Sequence, residues 1–212
     1  MCGIMGYVGS RSARDVIYAG LKRMEYRGYD SSGIAVQDKS VHTSKAVGDT
    51  SNLDIASLPE KAWLGVGHTR WATHGKPSVV NAHPHSFGDI TLVHNGIIEN
   101  YQQLLDKIGS PKLKSQTDSE VVAALIDHYF QNGKIELLSA LKKAVTDING
   151  TFGLVVMSTL EKDQLLVARR GSPIVIGVGD KQNFVASDPA AIINHTDKVI
   201  FLEDDQIAKV SS

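Results

Sequence analysis

The chain has 212 residues, 42% of them hydrophobic and 21% charged, which is enough for one sizeable core, so a single domain over 1–212 is expected. Its 22 Lys and Arg offset 23 Asp and Glu to a net charge of −1; the basic residues are scattered, leaving no electrostatic footprint for nucleic acid or an anionic membrane. A lone cysteine excludes an internal disulfide framework, and no apolar run approaches the ~20 residues of a membrane span or the plan of a secretory signal, so the chain reads as cytoplasmic.

In chain order, an apolar strand is expected over 4–8, then a helix over 13–26. Val16, Ile17, Gly20, Leu21 and Met24 share one face of that helix, with Asp15 in its first turn and Lys22 and Arg23 near its end. Segments 33–37 and 41–46 read as strands paired across a polar turn. Segments 65–69 and 90–94 read as buried strands that end in polar, glycine-bearing loops. Helices follow over 100–108, 118–131 and 135–145, the second opened by Thr117-Asp118-Ser119-Glu120, a capping-box pattern. The remainder is mostly β, over 152–157, 165–168, 174–177, 184–187, 199–202 and 207–210. Strand runs and helix runs are segregated along the chain, which argues for α+β layering and against a doubly wound parallel sheet.

The lone cysteine is Cys2, directly behind Met1. Removal of Met1 would leave a thiol and a free α-amine on one residue, and an α-amine titrates near pH ~7.7–8.0, low enough to accept the thiol's proton without a histidine. The functional reading is an N-terminal nucleophile; the plain alternative is a small residue starting a buried strand. Tyr26-Arg27-Gly28-Tyr29-Asp30-Ser31-Ser32-Gly33 closes the first helix. Gly28 can supply the positive φ of a helix terminus, and Arg27 and Asp30 can pair with each other or meet a ligand.

His68-Thr69-Arg70-Trp71-Ala72-Thr73-His74-Gly75 is more informative. The planar fork of Arg70, with donors from Thr73 and His74, suits an α-carboxylate, although a solvated loop with Trp71 packed on the core would read the same. His68, His74, His83, His85 and His94 lie close in sequence, but no pair has the i, i+4 helical spacing of hydrolytic zinc sites and no second cysteine helps, so no metal is expected; His83 reads as a hydrogen-bonded structural residue. In His94-Asn95-Gly96-Ile97-Ile98-Glu99-Asn100, the Asn95 amide beside the Gly96 N–H can present two donors to one oxyanion. Asn-Gly is equally a strong turn signal. Asp118, opening a helix, can be a cap or can receive a substrate ammonium. Together these groups suit an amino acid bearing a side-chain carbonyl, glutamine or asparagine.

Cys2-Gly3-Ile4, the stretches 26–31, 68–75 and 94–100, Asn81-Ala82-His83-Pro84-His85, Thr117-Asp118, Arg169-Arg170-Gly171-Ser172-Pro173 and Ala186-Ser187-Asp188 closely resemble the glutaminase domains of the glutamine–fructose-6-phosphate amidotransferases, within the class II glutamine amidotransferase family. The resemblance covers essentially the whole chain. It implies the four-layer αββα sandwich of the N-terminal nucleophile (Ntn) hydrolases, with Cys2 as nucleophile and its freed amine as base. Asn95 and Gly96 would form the oxyanion hole; Arg70, Thr73 and His74 would bind the carboxylate of L-glutamine and Asp118 its amine. Trp71 would lie on the relay to the ammonia exit, and Arg27 and Gly28 near the nucleophile's amine. No cofactor is implied. In the full-length family members, sugar isomerase domains, absent from this chain, would accept the ammonia. Two rivals stand beside this reading: the glutaminase domain of another class II amidotransferase, and a silent glutamine-sensing module.

Overall fold

The period-two alternation of one strand sets the plan of the fold. A computed structural model of the chain, describing residues 2–71 and 76–212, opens with strand β1 (Gly3–Gly9). Successive side chains of a strand point to opposite faces. Met5 and Tyr7 therefore pack beneath helix α1 (Ala13–Arg23), while Ile4 and Val8 enter a separate core on the other side. Strands β2 (Ser31–Gln37), β3 (Val41–Val47), β4 (Leu64–Arg70), β5 (His85–Phe87) and β6 (Ile90–Ile98) follow. Next come helices α2 (Tyr101–Lys107), α3 (Asp118–Gly133) and α4 (Leu137–Asp147). The chain then forms β7 (Gly150–Ser158), β8 (Gln164–Arg170), β9 (Val175–Val178), β10 (Gln182–Ala186), β11 (Val199–Phe201) and β12 (Ile207–Ser211).

The described strands make two antiparallel sheets, ordered β11-β9-β10-β1-β4-β2-β3 and β12-β8-β7-β6-β5. Helix α1 covers the outer face of the first through Val16, Ile17 and Leu21. Helices α3 and α4 cover the outer face of the second, packing Val122, Ile126 and Leu141 against Leu92, Leu154 and Val156. Between the sheets lie Ile4, Val8, Leu64, Val66, Val93, Val155, Leu165 and Val167, all fully buried; burying each contributes roughly 1.5–3 kcal/mol. The α+β class and the four-layer αββα order match the expectation. No helix among the described residues is long and apolar enough to cross a membrane.

The departures from expectation fall at element ends, where tertiary pairing decides. The helix expected over 13–26 breaks after Arg23, and Glu25–Arg27 tightens into a 3₁₀ turn that ends on Gly28. Strand β4, expected over 65–69, runs one residue further to Arg70 because β1 and β2 pair with its last residues, Gly3 with Thr69 and Ser31 with Arg70. Strand β6 likewise continues through Asn95 and Gly96, which pair with Gly153 and Phe152 of β7. The Asn-Gly pair is thus not a hairpin turn: a neighbouring ladder outweighs the local signal. The capping box at α3 does not form either. Glu120 accepts the N–H groups of Lys114 (2.9 Å) and Ser115 (2.6 Å), and the Thr117 hydroxyl meets His85 Nε2 (3.0 Å), so both side chains pin the incoming loop.

Candidate active site

The alternation that fills the space between the sheets continues past the apolar core to one end of the sandwich. On β4, Leu64 and Val66 face the second sheet, and the same parity turns His68 and Arg70 that way. On β6, Val93 faces inward, and so does Asn95. Cys2, just ahead of β1, has the same parity as Ile4, which faces the second sheet. Cys2, His68, Arg70, Asn95, Gly96 and Asp118 accordingly line one small cavity.

Cys2 is half-buried and is held by the backbone that follows β4: Trp71 N–H donates to Sγ at 3.2 Å and Sγ lies 3.6 Å from Trp71 O. Burial pushes the thiol pKa up, opposed by the Trp71 hydrogen bond and by the charges of Arg70 and Arg27. The resting sulfur is therefore a thiol, and making it a nucleophile requires a base. Arg70 is buried beside it; burial lowers the guanidinium pKa, countered by the charges of Cys2, Asp118 and Asp30.

Across the cavity, Asn95 Nδ2 donates to Cys2 O at 3.1 Å and Asn95 Oδ1 lies 2.9 Å from His68 Nε2. Gly96 holds φ +134°, and a Cβ there would sit 2.0 Å from Thr151 O, so neither conformation nor space admits a larger residue. Asp118 is fixed above them, Oδ2 accepting the Ile98 N–H at 2.9 Å and Oδ1 facing Ser119 Oγ at 3.3 Å. A cation and a carboxylate thus flank a thiol that lies beside a primary amide.

Arg27 and Gly28 do not line the cavity. Arg27 Nη1 pairs with Asp188 Oδ2 at 2.6 Å, and Tyr26 O–H donates to the same oxygen at 2.7 Å. The sequence leaves Arg27 to pair with Asp30 or to meet a ligand; its salt bridge is to Asp188, just beyond β10 and beside the turn that packs on α1, and Arg27 acts on Cys2 through its charge. Gly28, at φ +146°, supports Trp71, whose Cβ would lie 3.0 Å from an added Cβ, while the Trp71 side chain itself is 54% exposed. Thr73 and His74, expected to bind a carboxylate, lie outside the described residues.

The histidines form a stacked, buried cluster. The rings of His68 and His83 stack at 4.1 Å and His85 meets His83 edge-on at 4.5 Å. Ser119 Oγ bridges His83 Nε2 and His94 Nδ1, each at 2.9 Å, so His83 is hydrogen-bonded as expected. Burial, reinforced by the charge each would impose on its neighbours, holds His68 down to about 3 and His83 and His85 well below the usual imidazole range; burial also lowers His94. Among the described residues no three His, Cys, Asp or Glu side chains are grouped to hold a metal ion. The contacts of His68 and Ser119 were not foreseen, although the parity of Leu64 and Val66 already aims His68 inward.

Comparison with known proteins agrees with this arrangement. The family model described as a glutamine amidotransferase domain matches residues 73–194. The chain is 47% identical over 221 residues to an isomerizing glutamine–fructose-6-phosphate aminotransferase of Chlorobaculum tepidum, covering all of this chain and 36% of that protein. A namesake from Methanosarcina acetivorans is 45% identical over 225 residues with the same coverage. The chain therefore spans about a third of the length of these relatives. Among solved structures, the glutamine phosphoribosylpyrophosphate amidotransferase of B. subtilis aligns with a TM-score of 0.80 at 23% identity, over 99% of this chain and 49% of that one; the two share the sandwich fold. With over half its length matched by the family's own model, the chain belongs to the class II glutamine amidotransferase domains.

Proposed function

We propose that the domain hydrolyses the side-chain amide of L-glutamine to glutamate and ammonia through a γ-glutamyl thioester on Cys2. The observation that carries the reading is the meeting of Cys2, Asn95, Arg70 and Asp118 around one cavity. Once Met1 is removed, the α-amine of Cys2 takes the thiol proton, the sulfur attacks the amide carbon, and Asn95 Nδ2 and the Gly96 N–H receive the oxyanion. The resulting ammonium returns its proton to the departing ammonia, and water then cleaves the thioester to glutamate and the free thiol. Arg70, with Thr73 and His74, holds the α-carboxylate and Asp118 the α-ammonium. Trp71 borders the exit for ammonia, and Arg27 and Gly28 support the nucleophile's surroundings. The raised thiol pKa supports this assignment, since a thiol that does not ionise by itself needs an adjacent base. In the longer protein, sugar isomerase domains would use the ammonia to convert fructose 6-phosphate to glucosamine 6-phosphate, as the names of the relatives suggest.

The test is the intact mass of processed protein before and after a glutamine-mimicking diazoketone, with the adduct mapped by peptide sequencing. One adduct on Cys2, and a Cys2→Ala variant that binds glutamine without turnover, is the expected result. A processed chain that binds glutamine but forms no adduct is a silent sensor and overturns the proposal.

A further inference from the structure

We propose that His68 is a positioning residue for this reaction, whose imidazole N–H fixes the plane and the polarity of the Asn95 carboxamide. The inference rests on the glutaminase reading above and follows from which atoms can donate. One end of the Asn95 amide lies 3.1 Å from the carbonyl oxygen of Cys2. A backbone carbonyl only accepts, so that end is the NH₂ group. The other end is then the oxygen, and it lies 2.9 Å from His68 Nε2. A second acceptor, His94 O, lies 3.1 Å from the same nitrogen. Two oxygens that only accept require Nε2 to carry the proton. The other ring nitrogen, Nδ1, is buried without a hydrogen-bond partner among the described residues, as suits the bare lone pair of a neutral ring. The ring is 1% exposed and stacked on His83, so it has no room to turn over.

The consequence falls on the reacting site. Nδ2 gives one hydrogen to Cys2 O and has one left, and the plane of the amide decides where that hydrogen points. His68 holds the far end of that plane from β4, across the gap between the sheets. Without its N–H the amide is tied only through Cys2 O and rotates about its last side-chain bond. The remaining hydrogen then leaves the line of the developing oxyanion, and because the ground-state carbonyl needs it less than the oxyanion does, the loss appears in turnover more than in binding.

The test combines kinetics with a tautomer measurement on processed protein. His68→Phe keeps a ring against His83 and removes the donor, while His68→Gln keeps an N–H near the position of Nε2. His68→Phe is expected to lower kcat by about ten- to a hundredfold, part of the ~10²–10³ that deleting an oxyanion donor removes. It should weaken inhibition by the γ-aldehyde analogue of glutamine, which forms an oxyanion on Cys2, by a similar factor. Inhibition by glutamate should stay within about threefold, His68→Gln should recover part of the rate, and in an Asn95→Ala background His68→Phe should lower kcat no further. Equal losses with and without Asn95, or equal losses of aldehyde and glutamate inhibition, would make His68 merely structural and overturn the proposal. Should His68→Phe not fold, the imidazole ¹⁵N shifts of the unsubstituted protein decide: an Nε2–H tautomer is required, and an Nδ1–H tautomer refutes it. A processed parent protein without glutaminase activity sinks the functional reading and this role with it, whereas an active parent in which His68→Phe is silent sinks this role alone.

Discussion

Acidification should destabilise this domain through its histidines before its carboxylates titrate. His68, His83 and His85 are at most 5% exposed, and burial keeps all three neutral, His68 down to about 3. In the unfolded chain each titrates near ~6.5. Below that pH the unfolded state binds more protons than the folded one, so stability falls as pH falls, starting near pH ~6.5 and continuing toward the folded value. Between about pH 7 and 5.5 each such histidine forfeits about 1 kcal/mol by this linkage, and the three together about 3–4 kcal/mol. His94, also lowered, adds a share. That is a large part of the ~5–15 kcal/mol by which a domain is ordinarily stable. The assay is urea denaturation followed by tryptophan fluorescence at several pH values across this range, with the histidine Cε1–H resonances recorded alongside. A midpoint that is flat from pH 7 to 5.5 would refute the reasoning, as would one that rises on acidification, because either means that the cluster takes up protons while folded.

Four further outcomes follow from single contacts. Lys45, pushed down to about 8 chiefly by burial, is charged in the fold at neutral pH at an energetic penalty; Lys45→Met should therefore raise stability at pH 7 by ~2 kcal/mol, discounted for its partial exposure, with the gain shrinking between about pH 8 and 10.5 in urea titrations. Gly96→Ala would drive a Cβ into Thr151 O at φ +134°, so calorimetry should record a loss of ~2–3 kcal/mol and glutamine hydrolysis should fall with it; a fully active, equally stable variant would contradict the strand geometry. Ser119→Ala removes the one hydroxyl shared by His83 Nε2 and His94 Nδ1 and should destabilise by about 1–3 kcal/mol, read as a shifted denaturant midpoint. Arg70→Met removes a positive charge that favours the Cys2 thiolate, so the pH midpoint of iodoacetamide alkylation of Cys2 should move upward; a downward move would remove Arg70 from the electrostatics of the thiol.

What was legible in the sequence was whatever depends on residues near one another along the chain. The buried face of α1 follows from Val16, Ile17, Gly20 and Leu21, and the hairpin of β2 and β3 from two β-rich runs around a polar turn. What escaped depends on a distant partner. Nothing local to Asn95-Gly96 reveals that β7 extends the ladder through it, nor does the three-residue strand β5 exist without β6 beside it. Asp188 was visible in sequence but carried no signal that it would hold Arg27 and Tyr26 together. The four residues at the head of α3 formed a sound capping pattern, yet the loop before the helix offered Glu120 two unpaired N–H groups and His85 offered Thr117 a ring nitrogen. A side chain takes the partner whose burial would otherwise be most costly, and that choice is made by the fold.

The site and the core are products of one periodicity. Ile4, Leu64, Val66 and Val93 face the space between the sheets; two residues further along each strand, in one direction or the other, the same parity delivers Cys2, His68 and Asn95, and a further step gives Arg70. Apolar residues occupy the positions that the opposite sheet covers completely, and polar ones begin where the cavity opens. The arrangement makes the geometry of the site a consequence of register. A slip of one residue in β4 would turn His68 and Arg70 toward α1 and Thr69 into the cavity, while exposing Leu64 and Val66 to the wrong core. Leu64 and Val66, the two inter-sheet residues that β4 itself supplies, each contribute roughly 1.5–3 kcal/mol by burial and oppose that slip more strongly than a single polar contact in the cavity could. Packing some distance from the thiol therefore sets where Cys2, Asn95 and Arg70 meet, and the histidine cluster adjusts the orientation of groups whose positions the core has already decided.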